Sequence, residues 1–120
     1  MLYRLLASIF VCLVSINPSL AEELTQADLN QAARQHLSAS ERLLNKAYNR
    51  LHAELEPNRQ ALLKSTQHTW LAYRNSNARL ISDAYRGGSI SSLIYTQVLI
   101  EMTGKRTSEL TRMHLDEITP

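Results

Sequence analysis

Apolar residues recur along this chain at helical spacing in three long segments. Between Thr25 and Leu55, the residues Leu29, Ala33, Leu37, Leu44, Tyr48, Leu51 and Leu55 follow one another at steps of three, four or seven. Such steps lay one apolar stripe along an α-helix. Thr25, with Asp28 three places on, has the form of a capping box that starts a helix. Ser38-Ala39-Ser40-Glu41 offers a second start of the same form. The stripe keeps its phase across Ser40, however, and this predicts one continuous helix.

Pro57 suits the first turn of a second helix, where its missing N–H is not needed. In that segment Leu62, Thr66, Trp70, Tyr73, Asn77, Leu80 and Ala84 mark one face, widened by Leu63 and Ile81. Gly87 can adopt the left-handed conformation that ends a helix, and Ser89 or Ser91 can cap the next. The third segment sets Ile90, Ile94, Val98, Met102, Leu110 and Met113 on one side. Gly104 weakens it by about 1 kcal/mol relative to alanine, and Asp116 and Glu117 oppose the helix dipole, which predicts a frayed end. No window alternates with a period of two, so no sheet is expected. The predicted fold is all-α: an elongated up-down-up antiparallel three-helix bundle, centred on Trp70, with helices roughly 40–46 Å long.

The first 21 residues follow a different pattern. Met1 to Arg4 carries one positive charge, Leu5 to Ile16 is nearly unbroken apolar sequence, and Pro18 precedes Ser19-Leu20-Ala21. That order is a secretory signal peptide over 1–21, leaving a domain over 22–120. The apolar run is shorter than the roughly 20 residues a membrane span needs, so no stable membrane anchor is expected after cleavage. Ile9-Phe10-Val11 lacks the small residue that a lipoprotein site wants before Cys12. The expected location is the periplasm or the exterior. Because Cys12 is the only cysteine in the chain, the exported product would have no disulfide and would hold together by packing.

Charge and chemistry narrow the function classes. Loss of Arg4 with the leader brings the 13 basic residues close to balance with the 11 acidic ones, which leaves no basic field for nucleic acid. His36, His52, His68 and His114 are never three or four apart, so no helix face pairs two imidazoles and no metal site is expected. No serine sits in a nucleophile elbow, and the carboxylates are scattered. No catalytic residue and no cofactor are predicted.

Two clusters remain. Tyr85-Arg86-Gly87-Gly88-Ser89 is the one glycine-rich turn, and it lies between two long helices. It is either a helix stop and restart or an anion-cradling, partner-binding tip. The second cluster draws on Asn45, Gln67, Arg74, Thr103, Arg106 and Glu109, which lie near the apolar stripes. A buried arginine there must find carboxylates or carbonyls, so these residues form either a polar layer that fixes helix register or a ligand site. Trp70 and Tyr73 are read as the seam of the bundle, beside Tyr48.

The pattern "LNKAYNRL" (Leu44 to Leu51), "LLKSTQHTWLAYRN" (Leu62 to Asn75), "YRGGS" (Tyr85 to Ser89) and "TGKRTSEL" (Thr103 to Leu110) resembles the LprI-like lysozyme-inhibitor family of small exported bacterial helical domains. The resemblance covers nearly all of the chain after residue 21. It implies a protein partner, with a lysozyme-type muramidase the first candidate; an envelope protein that binds a toxin or a peptidoglycan-associated enzyme is the alternative. Members of that family commonly carry cysteines, and the corresponding places here are Ala32, Ala78 and Val98, all apolar, consistent with a bridge replaced by packing. Intact-mass analysis of the exported protein should give a chain starting at Glu22; retention of Cys12 in the soluble form would refute the leader.

Overall fold

The computed structural model describes residues 24–120; the leader expected over 1–21 and its expected cleavage site lie outside the described residues. Three helices follow in order, α1 (Gln26–Glu54), α2 (Pro57–Asp83) and α3 (Ser91–Ile118), and no strand occurs among the described residues. The fold is the expected all-α bundle.

Local chemistry accounts for the helix ends. Thr25 accepts a hydrogen bond from the Asp28 N–H, and the Asp28 carboxylate accepts from the Thr25 N–H, which completes the capping box. The same carboxylate accepts from the Thr25 hydroxyl at 2.7 Å, and this bond first, with the one from the Thr25 N–H, holds the Asp28 carboxyl below its ordinary range. α1 runs unbroken through Ser38–Ser40, and Pro57 opens α2. Gly87, at φ 83°, takes the left-handed conformation in the turn after α2. No serine caps α3: Ile90 holds that position without a side-chain bond. The Ser91 hydroxyl instead donates to the Ser82 carbonyl at 3.1 Å and ties the two ends of the turn together. The expected fraying is also corrected, since α3 stays helical to Ile118. Arg59 at the start of α2 holds Glu117 at its end. That hydrogen bond, more than bare attraction, lowers the Glu117 carboxyl's affinity for protons. The stabilisation is therefore present at neutral pH and is lost as pH falls through the depressed value.

Cross-helix bonds fix the directions. Arg74 reaches both Glu41 and Thr103, Arg106 meets Gln67, and His114 lies 3.8 Å from Glu54. α1 and α3 thus run in the same direction, with α2 opposed, as an up-down-up order requires. α3 is the shared partner: it packs along α1 and along α2, while the α1 and α2 backbones hardly approach one another. The apolar core joins Leu44, Ala47, Leu51 and Leu55 of α1 to Leu63 of α2 and Leu110 of α3, with Tyr48 and Trp70 packed against it.

This arrangement corrects three expectations about burial. The centre is Leu110 and Thr103, both at 0% exposure, rather than Trp70, which is only half-buried. α2 is turned by one residue from its predicted face: Leu63, Arg74, Ala78 and Ser82 point inward, while Leu62, Tyr73, Leu80 and Ile81 are exposed. The reason is that α2 packs mainly on α3 and meets α1 only locally, through Leu63 in the core and side-chain bonds such as Arg74 to Glu41, so much of its other flank is left uncovered. On α3 the buried set is Thr96, Leu99, Thr103, Arg106 and Leu110, whereas Ile90 and Met113 are exposed.

Gly104 sits on the outer side of α3, and an added Cβ there would meet nothing within 4 Å. Gly104→Ala is expected to raise the free energy of unfolding by about 0.5–1 kcal/mol through helix propensity. Urea unfolding checks this; a destabilised variant would mean that the position is packed.

Candidate functional site

The tryptophan motif on α2 and the arginine motif on α3 meet at mid-bundle. Arg74, one helical turn beyond Trp70, is only 6% exposed. Its Nη1 donates to Thr103 Oγ1 at 3.0 Å and to Glu41 Oε1 at 3.2 Å. Its Nε and Nη2 donate to the Asn75 side-chain oxygen at 3.2 and 3.1 Å. Arg106, also 6% exposed, donates from Nε to Gln67 Oε1 at 3.1 Å and from Nη1 to Glu109 Oε2 at 2.9 Å. Both guanidinium carbons lie against the Trp70 ring, 5.5 Å and 6.0 Å from its centroid. The indole therefore serves as a cation–π neighbour to two buried charges while its edge joins the apolar core.

Seven of the sequence candidates meet in or beside this cluster: Gln67, Trp70, Arg74, Thr103, Arg106 and Glu109 directly, and Tyr48 at its margin, stacked on His52 at 5.9 Å. Two do not. Asn45 is exposed on α1, and Tyr73 is 60% exposed, because a residue adjacent to Arg74 points away when Arg74 points in. Sequence reasoning missed Glu41 and Asn75. Glu41 was seen only as part of a helix start, although it lies on the same side of α1 as Leu37 and Leu44, at helical spacing. Nothing in the pattern singles out Asn75.

A cleft of about 350 Å³ opens below the cluster, towards the Pro57 end of the bundle. Leu51 and Leu55 of α1, Leu63 and Thr66 of α2, and Arg106 of α3 line it. The Arg59–Glu117 pair also stands on its wall.

The turn Tyr85–Ser89 lies at the opposite end and is exposed throughout. Arg86 is not free there: its Nε and Nη2 donate to the two Asp83 carboxylate oxygens at 2.8 and 2.7 Å. The pair is solvent-exposed on both sides, the arginine at 79%. Gly88 has Tyr85 O only 3.3 Å from where a Cβ would stand, so the turn is tightly folded back on itself. Among the described residues no group of three or more His, Cys, Asp or Glu could hold a metal, and no helix is long and apolar enough to cross a membrane.

Comparison with known proteins now bears on what this arrangement is for. The family model described as "Lysozyme inhibitor LprI" matches residues 18–110. The chain belongs to the LprI lysozyme-inhibitor family. An uncharacterized protein of Rhizobium meliloti (strain 1021) is 31% identical over 106 residues, covering 78% of this chain and 76% of its own. No solved structure matches. The matched span takes in both the mid-bundle cluster and the turn. Of the three places where a family cysteine was expected, Ala78 is fully buried and Val98 half-buried, but Ala32 is exposed. Packing therefore replaces nothing at Ala32.

The cluster's energetics are testable without a partner. Thr103→Val keeps the shape of the side chain and removes the oxygen that Arg74 meets in the centre of the bundle. It should lower the free energy of unfolding by about 1.5–3 kcal/mol, as for hydrogen bonds to charged groups. Asn45→Ala should stay within about 0.5 kcal/mol of the unmodified protein. Chemical denaturation separates the two; equal effects would remove Thr103 from the layer that holds the arginines.

Proposed function

We propose that this protein is exported to the periplasm or beyond and there binds and blocks a lysozyme-type muramidase through the Tyr85–Ser89 turn, without catalysing a reaction of its own. Membership of the lysozyme-inhibitor family over residues 18–110 carries this reading.

The chemistry of the turn supports it. Muramidases of this type place two carboxyl groups either side of the scissile bond. A blocking element for such a cleft should be narrow, cationic and rich in donors. Arg86 already holds a carboxylate, that of Asp83, with two donors in a fork. An exposed pair of this kind contributes little to stability, at most about 1 kcal/mol. A partner's carboxylate can take Asp83's place at small cost and gain a stronger charge-assisted bond as the cleft desolvates. Gly87 and Gly88 let the backbone approach closely, the Ser89 hydroxyl is a further donor, and Tyr85, 46% exposed, offers a flat face to a sugar-binding wall. The mid-bundle arginines do not compete for this role, because they are buried and engaged. They fix the helices that present the turn.

Inhibition should therefore be abolished by Arg86→Glu, with helical circular dichroism and melting temperature nearly unchanged, since the side chain is exposed. Undiminished inhibition by that variant, against a muramidase that the unmodified protein blocks, would move the partner surface to the helix flanks. No inhibition of any muramidase by the unmodified protein would favour an envelope protein with a different partner.

A further inference from the structure

We infer that the outer face of α1, from Ala32 to Ala53, docks the protein on an anionic lipid surface, with Arg42, Lys46 and Arg50 against the phosphate headgroups. The contact is independent of the turn assigned to the muramidase.

The starting point is a row of charge without counter-charge. Arg42, Lys46 and Arg50 are exposed and stand one turn apart on α1. Like charges at that spacing destabilise a helix. Among the described residues, none of the three has a carboxylate within ion-pair distance; Arg42 donates only to the neutral Ser38 hydroxyl, at 3.0 Å. The nearest carboxylates along α1 are engaged elsewhere. Glu41 turns to Arg74, and Glu54, one turn beyond Arg50, lies 3.8 Å from His114. On α3, Glu101 holds Lys105 and Glu109 holds Arg106. The α3 residues that meet this part of α1 are the uncharged Thr107 and Thr111. The charges of the whole chain nearly balance, yet its carboxylates are spent on other contacts and leave this face cationic.

The rest of the face suits a plane of headgroups. A rotation of 100° per residue sets Ala32, Gln35, Ala39, Leu43 and Ala53 on the same outer arc as the three cations. No acidic residue falls on that arc between Ala32 and Ala53, a length of about 32 Å at 1.5 Å per residue. Leu43 is 58% exposed in the midst of the cations. Hollows of about 260 and 480 Å³ flank it. An apolar side chain ringed by long basic ones is what a helix lying in a membrane interface presents: the leucine enters the boundary and the cations reach the phosphates.

A folded acidic partner fits less well. The Thr107 and Thr111 hydroxyls in the smaller hollow already donate to the Thr103 and Thr107 carbonyls, at 2.9 and 2.8 Å. No neutral donor is left there to fix the geometry of a rigid ligand. Three flexible cations are matched by charges that rearrange laterally, as lipid headgroups do. Each basic residue beside an anionic leaflet strengthens binding about fivefold, so the three together supply about a hundredfold.

Flotation of the exported protein with vesicles tests this. One set is phosphatidylcholine alone and the other an equal mixture with phosphatidylglycerol. The protein should float with the mixed vesicles only, and raised salt should release it. The triple variant Arg42→Gln, Lys46→Gln, Arg50→Gln should bind about a hundredfold more weakly, with circular dichroism unchanged because the side chains are exposed. A second triple variant, Lys64→Gln, Arg79→Gln, Arg112→Gln, loses the same charge from exposed positions on α2 and α3 and should bind like the unmodified protein. Leu43→Ser should weaken binding to the mixed vesicles without changing the fold. Equal losses in the two triple variants would reduce the effect to net charge and overturn the proposal. It is equally overturned by equal binding to both vesicle types, by no vesicle binding, or by capture of poly-L-glutamate through the same three residues without vesicle binding, which would place an acidic protein on the row.

Discussion

A guanidinium buried in a small bundle has to be met by acceptors from more than one helix, and this requirement sets the register of the whole molecule. Arg74 and Arg106 project from α2 and α3 into the same layer. One is held by α1 and α3 together, through Glu41 and Thr103; the other is held by α2, through Gln67, and by its own helix. A slip of one helix by a single turn would move each acceptor by about 5.4 Å and strand a charge. Leucine packing alone tolerates such slips far better, because apolar contacts are not directional. The leucines below the layer supply most of the cohesion, and the arginines determine which of several similar packings is used. Trp70 serves both, as one ring that lies against the two charges and joins the apolar core.

The fold was legible because its signals are local and redundant. A capping box, a proline at a helix start and a glycine pair after a helix end each act within a few residues, and each agrees with the spacing of leucines around it. The face of α2 was not legible. Its spacing offered two stripes, one through Leu62, Tyr73 and Leu80 and one through Leu63, Arg74 and Ala78, and the larger apolar content belonged to the wrong one. Apolar residues go inside only where another element covers them. The coverage of α2 depends on α3 being the common partner, which no single segment reveals.

The candidate site divides along the same line. The motif residues Trp70, Arg74, Thr103 and Arg106 converge because each lies on a face that must be buried. Asn45 was grouped with them for its place beside an apolar stripe and Tyr73 for its helical spacing from Trp70, and both fall on solvent. Glu41 was overlooked as a partner because a glutamate near a serine pair reads as a helix start. The Asp83 partner of Arg86 was likewise hidden: an acidic residue three places before an arginine looks like ordinary surface decoration, yet here it holds the arginine with both oxygens. Oppositely charged groups find each other across helices according to which faces meet, and that is a tertiary fact.

The central place of α3 also bears on the order in which the chain can fold. α1 is the first helix to be synthesised, and its main packing partner is the last. Until α3 emerges, α1 and α2 have few backbone approaches to each other and no acceptor set for Arg74 beyond Glu41 and Asn75. Closing the long intervening loop must precede most of the reward, which slows assembly relative to a bundle stitched from neighbouring hairpins. α2 and α3, joined by a short turn, form the only adjacent pair with a substantial shared surface, and α1 then docks along α3. The nascent chain therefore remains pliable through most of its length, and a truncation within α3 removes the partner of both other helices at once.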